Sequence, residues 1–139
     1  MAVFLNNKVG VKVNNVDLSD HVSAVTINRN LDELEVTSMG DLGRKRVAGL
    51  EDSQVTISFY NDTASANVLA TLQAAYGTNV TCKFLQDKAT AVSATNVLYT
   101  ATCLVNGLTD INGAVGDLGT IDVTWSVSGT VAIATSGTF

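Results

Sequence analysis

The sequence predicts a mainly β fold, a β-sandwich or partly closed barrel of six to eight strands with one flanking α-helix. Three observations carry that reading. Apolar and polar residues alternate strictly along several stretches, which is the period of a strand with one buried face. Only one stretch repeats its apolar residues at helical spacing. With 46% hydrophobic and 15% charged residues in 139, the chain is too apolar for disorder and fits one domain spanning residues 1–139.

Residues 1–8 read as an N-terminal arm carrying Phe4 and Leu5. Val9, Val11 and Val13 then alternate with Gly10, Lys12 and Asn14, and Asn14-Asn15 is a turn signal before Val16 and Leu18. The short polar residues of Asp17-Leu18-Ser19-Asp20 suit a single helical turn. Val25 and Ile27 share one face of the next strand, and Glu33 to Thr37 suggest a short strand. Residues 38–49 hold three glycines and no period, predicting a long loop. Loops of that length in compact domains usually have a function.

Val55, Ile57 and Phe59 mark a buried strand face. A helix is predicted over residues 64–76, capped by Asp62 or Thr63, with Val68, Leu69, Leu72 and Tyr76 on its buried stripe and Gly77 at its end. Three strands follow, facing the core through Val80, Cys82 and Phe84, through Val97 to Val105, and through Ile121, Val123, Trp125 and Val127. Gly129 marks a bend, with Val131 and Ile133 keeping the same parity. Residues 134–139 read as a C-terminal arm ending in Phe139. Proline is absent, so one common blocker of sheet edges is missing.

Residues able to carry chemistry are few. His21 is the sole histidine, placed to pair with Asp20 or Asp17, and no nucleophile accompanies it. Cys82 and Cys103 form no metal or redox spacing and read as buried free thiols, with a disulfide as the alternative. Asp110-Ile111-Asn112-Gly113 lacks the remaining ligands of a calcium loop. Gly40-Asp41-Leu42-Gly43 and Gly116-Asp117-Leu118-Gly119 are one tetrapeptide used twice; neither is a phosphate loop, and both read as tight turns. No catalytic residue, metal ligand or cofactor site is predicted. The net charge of −5 argues against gripping nucleic acid, which needs a basic footprint. No apolar run is long enough for a membrane span, and the start lacks signal-peptide character.

The only basic cluster, Arg44-Lys45-Arg46, lies in the long loop of this acidic chain. The expected use is docking against an acidic patch on a neighbouring copy, with Asp32, Glu33 and Glu35 as the candidate patch. Such pairs set register more than affinity.

Val36-Thr37-Ser38-Met39-Gly40-Asp41, the glycine-marked loop after it, the strand through Phe59, the Ala-rich helix and Gly116 to Gly129 with Asp122-Val123-Thr124-Trp125-Ser126-Val127 together resemble the major tail (tail tube) proteins of long-tailed, non-contractile bacteriophages. The likeness runs in order from Val9 to Val131. It implies hexameric rings stacked into a tube around a tape-measure protein, capped by terminator and distal tail or baseplate proteins. Double-stranded DNA would pass through without specific binding, in a virion assembled in the bacterial host cytoplasm. It assigns inter-subunit contact to Ser38, Met39, Gly40, Asp41, Leu42, Gly43, Arg44, Lys45 and Arg46, and inter-ring contact to Phe4, Leu5 and Phe139. The alternatives are a single-ring terminator, completion or baseplate protein, and a carbohydrate-binding sandwich presenting Trp125 or Tyr99.

Overall fold

The computed structural model describes residues 7–65 and 67–139. Among the described residues ten strands and one α-helix follow one another as β1 (Gly10–Val13), β2 (Val16–Asp17), β3 (Val22–Asn28), β4 (Leu31–Glu35), β5 (Arg46–Glu51), β6 (Gln54–Tyr60), α1 (Val68–Ala75), β7 (Asn79–Leu85), β8 (Leu98–Leu104), β9 (Thr120–Val127) and β10 (Ala132–Ala134). Ten exceeds the expected six to eight. The additions are β5, which begins inside the predicted 38–49 loop, and the three-residue β10, too brief to show alternation.

Eight strands form one antiparallel sheet in the order β2-β1-β7-β8-β9-β6-β3, with β10 also on β8. The sheet folds into two layers at β8 and β9, which pair only through Cys103↔Val127 and Leu104↔Ser126. β9 pairs along its length with β6. The chain then bends at Gly129, whose φ of +92° suits glycine, and continues as β10 against Leu98–Thr100. A strand that changes partner across a bend is how a sandwich turns a corner. The barrel stays open beside β3. There a groove of about 340 Å³ is lined by Val9, Val25, Ile27, Phe84, Leu85 and Tyr99, among others.

The alternating residues meet in one core. Val55, Ile57, Phe59 and Trp125 are fully buried, Val123 nearly so, and Leu72 enters from the helix, with Leu69 packed at the margin. Asn14 and Asn15 both adopt positive φ in the β1–β2 turn, the left-handed pair that a two-residue hairpin requires. A 3₁₀ turn follows at Ser19–His21.

The helix is shorter than the predicted 64–76. The Asp62 carboxylate accepts the Ala64 N–H at 2.9 Å and the Asn67 amide at 2.8 Å. This local turn competes with helical geometry and moves the cap to Asn67. At the other end Tyr76 has extended backbone and leaves the helical stripe. It is 59% exposed, so the expected core place of Tyr76 is corrected. Gly77, at φ +78°, ends the helix as anticipated. Ile133 is also half exposed while Val131 is buried: Val131 precedes β10 and Ile133 lies within it, so the two do not share one strand face.

Asn96, 5% exposed, organises the loop between β7 and β8. Its amide donates to the carbonyls of Asp87, Thr90 and Ala91, and its oxygen accepts the Asp87 N–H. Asn96→Asp removes the donor and leaves these carbonyls facing a carboxylate. The expected loss is about 2 kcal/mol, read as a lower urea midpoint with an unchanged slope.

Candidate assembly interface

One long ribbon runs from β3 to β6. Its proximal half, β3 with β6, belongs to the main sheet. Its distal half, β4 with β5, is a separate two-stranded sheet. The Asp52 N–H to Asn30 carbonyl bond, 2.7 Å, carries the pairing across the break. At its base the Glu51 carboxylate accepts the Val131 N–H at 2.8 Å and faces Arg29 at 3.7 Å. This ties the projecting half to the corner of the sandwich.

The projecting half shows apolar residues to solvent. Leu31, Leu34, Val36, Val47 and Leu50 are about half exposed or more, and Met39 and Leu42 fully so. A two-stranded ribbon with an uncovered apolar face is marginal by itself and is a surface suited to a partner.

The structure shortens the predicted 38–49 loop, because Arg46 begins β5. Both faces of β5 are largely exposed, so its sequence carried no alternation. The tip is a defined turn. The Asp41 N–H bonds the Ser38 carbonyl at 3.1 Å, Asp41 Oδ2 accepts the Ser38 N–H and hydroxyl, and Gly40 takes φ +92°. The Val36 N–H donates to the Lys45 carbonyl at 2.8 Å.

The basic cluster and the acidic patch lie on the same hairpin. Arg44 pairs with Glu35 at 2.7 Å, Arg46 with Glu33, and Lys45 with Asp41 at 3.1 Å. Glu33 and Glu35 are therefore engaged within the chain by the cations expected to meet them on a neighbour. Glu35 and Arg46 are register partners, and the ion pairs run diagonally from them, each cation reaching the carboxylate of a neighbouring position across the ribbon. Asp32 packs beside Gly49.

A second apolar surface, missed from sequence, lies on residues 105–119. The first part of this segment runs along β9. Trp125 Nε1 donates to the Gly107 carbonyl at 3.1 Å, and Thr109 Oγ1 accepts the Asp122 N–H at 3.1 Å. Ile111, Val115 and Leu118 then stand exposed. The available signal was three large apolar residues in a glycine-rich stretch. This segment meets β9 at Thr120, which pairs with Tyr60 at the far end of β6. Residues 110–119 therefore occupy the pole opposite the hairpin, while Gly107, beside Trp125, lies toward the hairpin end.

The remaining predicted positions are placed as follows. Phe4 and Leu5 lie outside the described residues. Phe139 folds back on its own chain: the Lys12 ammonium donates to its carbonyl at 2.8 Å and sits 4.6 Å from its ring centroid. The C-terminal arm is thus docked on β1 in the single chain. His21 pairs with Asp62 at 2.9 Å in place of Asp20 or Asp17. Cys82 and Cys103 are buried free thiols, and the neighbouring Cys103 sulfur together with burial pushes the Cys82 thiol up. Trp125 is sealed in the core, while Tyr99 opens on the aliphatic groove. No described helix is long and apolar enough to cross a membrane.

The Ala64 N–H, with help from His21 and Asn67 and against desolvation, holds the Asp62 carboxyl below its ordinary value. A depressed carboxylate adds stability above its unfolded pKa of about 4 and loses it as pH falls through the folded value. Unfolding midpoints should fall on acidification below about pH 4, and Asp62→Asn should show a shallower fall over the same range.

No family model matches the chain, and no curated protein sequence matches it. Solved structures do. A chain of the virion of a native gene transfer agent (GTA) particle superposes with TM-score 0.72 at 10% identity, over 95% of this chain and 99% of that one. A chain from the tail of an empty GTA particle, solved by helical refinement with C6 symmetry, gives 0.62 at 13% identity, over 82% of each. A chain of the six-fold symmetrised baseplate of the anti-feeding prophage gives 0.55 at 10% identity, over 96% and 97%. At these identities the likeness is one of fold, a fold found in chains of tail-bearing particles.

Proposed function

We propose that this chain is a non-catalytic structural protein of a phage-type tail, assembling into hexameric rings that stack into the tail tube. The observation that carries the reading is the projecting β4–β5 hairpin, with seven large apolar side chains exposed on and around it and a tip far from its own core. A second copy supplies the cover that the hairpin lacks, and repeated use of one heterologous contact builds rings or filaments. The fold shared with chains of a C6-symmetric tail supports six-fold rings. A net charge of −5 suits a conduit through which DNA slides, since like charge keeps a polyanion off the wall. On this reading the tape-measure protein fills the lumen during assembly, terminator and distal tail proteins close the ends, and the product resides in the virion.

A second reading is a single-ring baseplate component, favoured by the likeness to a baseplate chain. Sedimentation velocity over rising protein concentration separates the two. A tube protein gives a ring-sized species and then an unlimited series of larger ones. A baseplate ring stops at one ring, and a monomer at every concentration contradicts both.

A further inference from the structure

Glu51 stands at the root of the projecting hairpin and reaches out of it. Among the described residues, the bond it accepts from the Val131 N–H, 2.8 Å, is the one hydrogen bond between residues 31–51 and the rest of the sandwich. Its side chain is 8% exposed, and the other carboxylate oxygen faces Arg29 at 3.7 Å. The root is narrow. The main-sheet ladder of the ribbon stops at Asn28↔Gln54 and the distal ladder starts at Leu31↔Glu51, with the Asp52-to-Asn30 bond between them. Beside it the register slips between Leu31 and Glu33, next to Gly49, where a Cβ would lie 3.0 Å from that of Asp32. A bulge of this kind bends a ribbon, so the hairpin has a place to pivot.

Val131 belongs to a segment that is itself lightly held. Residues 129–139 leave the sandwich at Gly129, lie on β8 through Ala132, Ile133 and Ala134, and turn at Gly137 with φ +105°. The Phe139 ring ends over β1, so close that a Cβ on Gly10 would lie 2.9 Å from it, and Lys12 holds its carbonyl. Val131 is the only side chain of the segment in the core. A segment with so little buried apolar surface opens at a small fraction of the cost of global unfolding.

We propose that residues 129–139 form a strap that locks the angle of the hairpin through Glu51. With the strap docked, the Val131 N–H holds the nearly buried carboxylate and the hairpin stands fixed. With the strap lifted, that carboxylate has lost its donor and is better solvated by turning outward, and the hairpin swings about Asn30 and Asp52. The coupling is reciprocal, because a contact made only when both parts are seated stabilises each by the same amount. Whatever displaces Phe139 from β1 therefore frees the hairpin that carries the exposed apolar face. The device belongs to the single chain and needs no second copy, so it stands or falls apart from the tube reading.

The test is a distance distribution in the dilute, unassembled protein. Spin labels sit on Leu42→Cys at the tip and Thr81→Cys on the sandwich, both exposed positions, with Cys82 and Cys103 sealed from the reagent. The otherwise unchanged chain should give one narrow distribution. Glu51→Ala removes the acceptor, and Lys12→Met with Phe139→Ala lifts the far end of the strap; each should broaden the distribution. Glu51→Gln keeps an oxygen for the Val131 N–H and should stay close to the parent. In the reverse direction, Glu51→Ala should speed hydrogen exchange at residues 132–134, which pair with β8, by about tenfold. Circular dichroism and the urea midpoint check that each variant is folded; if Glu51→Ala is not, the anchor variant decides. A broad parent distribution, an anchor variant as narrow as the parent, or unchanged exchange at residues 132–134 overturns the strap and leaves the tube reading as it was.

Discussion

Trp125→Ala is expected to be the most damaging single change, lowering stability by about 4 kcal/mol. Its ring is the largest fully buried side chain, on the strand that joins the two layers. Truncation leaves a cavity that a bent sheet, anchored on both sides of β9, cannot close. It also removes the bond to the Gly107 carbonyl, which holds the segment leading to the exposed 105–119 turn. Two readouts follow: a large drop in urea midpoint, and faster hydrogen exchange along residues 105–112. A loss below about 1 kcal/mol would mean that the corner between β8 and β9 repacks freely.

Cutting back the hairpin should act on assembly and leave folding almost untouched. Glu35 and Arg46 are register partners, so residues 36–45 can be replaced by Asn-Gly, which closes a two-residue hairpin directly. The removed segment contributes nothing to the buried core, and a shorter loop costs less to close. Stability should therefore change by no more than about 1 kcal/mol. Sedimentation should show a folded monomer at concentrations where wild type assembles. A shortened variant that still forms higher species would remove the hairpin tip from the interface.

The fold was legible where burial imposed a period on the sequence. Val55, Ile57 and Phe59, and likewise Val123 and Trp125, alternate because one face of each strand is sealed. β5 was hidden for the opposite reason, since solvent reaches both of its faces and selects no period. Tyr76 was misplaced because the stripe was extended one residue past the point where the backbone straightens. Local polar chemistry around Asp62 shortened the helix start, and such a turn competes with capping in ways that propensity does not rank.

The candidate site was legible in part. Arg44, Lys45 and Arg46 stood out as a cluster, and the hairpin that carries them is the projecting element. Their partners did not stand out, because pairing with Glu33, Glu35 and Asp41 is decided by strand register. The exposed apolar turn at the opposite pole did not stand out, although the repeated Gly-Asp-Leu-Gly was seen as a pair of turns. Nothing local in the sequence says that two turns lie at opposite ends of one molecule. That follows only from the pairing of Tyr60 with Thr120 and from the ribbon leaving β3 and β6 at their other ends.

The most direct test of self-assembly into stacked rings is electron microscopy of the concentrated purified protein. Stacked rings give straight or gently curved tubes, striated at a constant spacing, with six-fold end views and a continuous central channel. Closed single rings that never stack, or isolated monomers at every concentration, would contradict it.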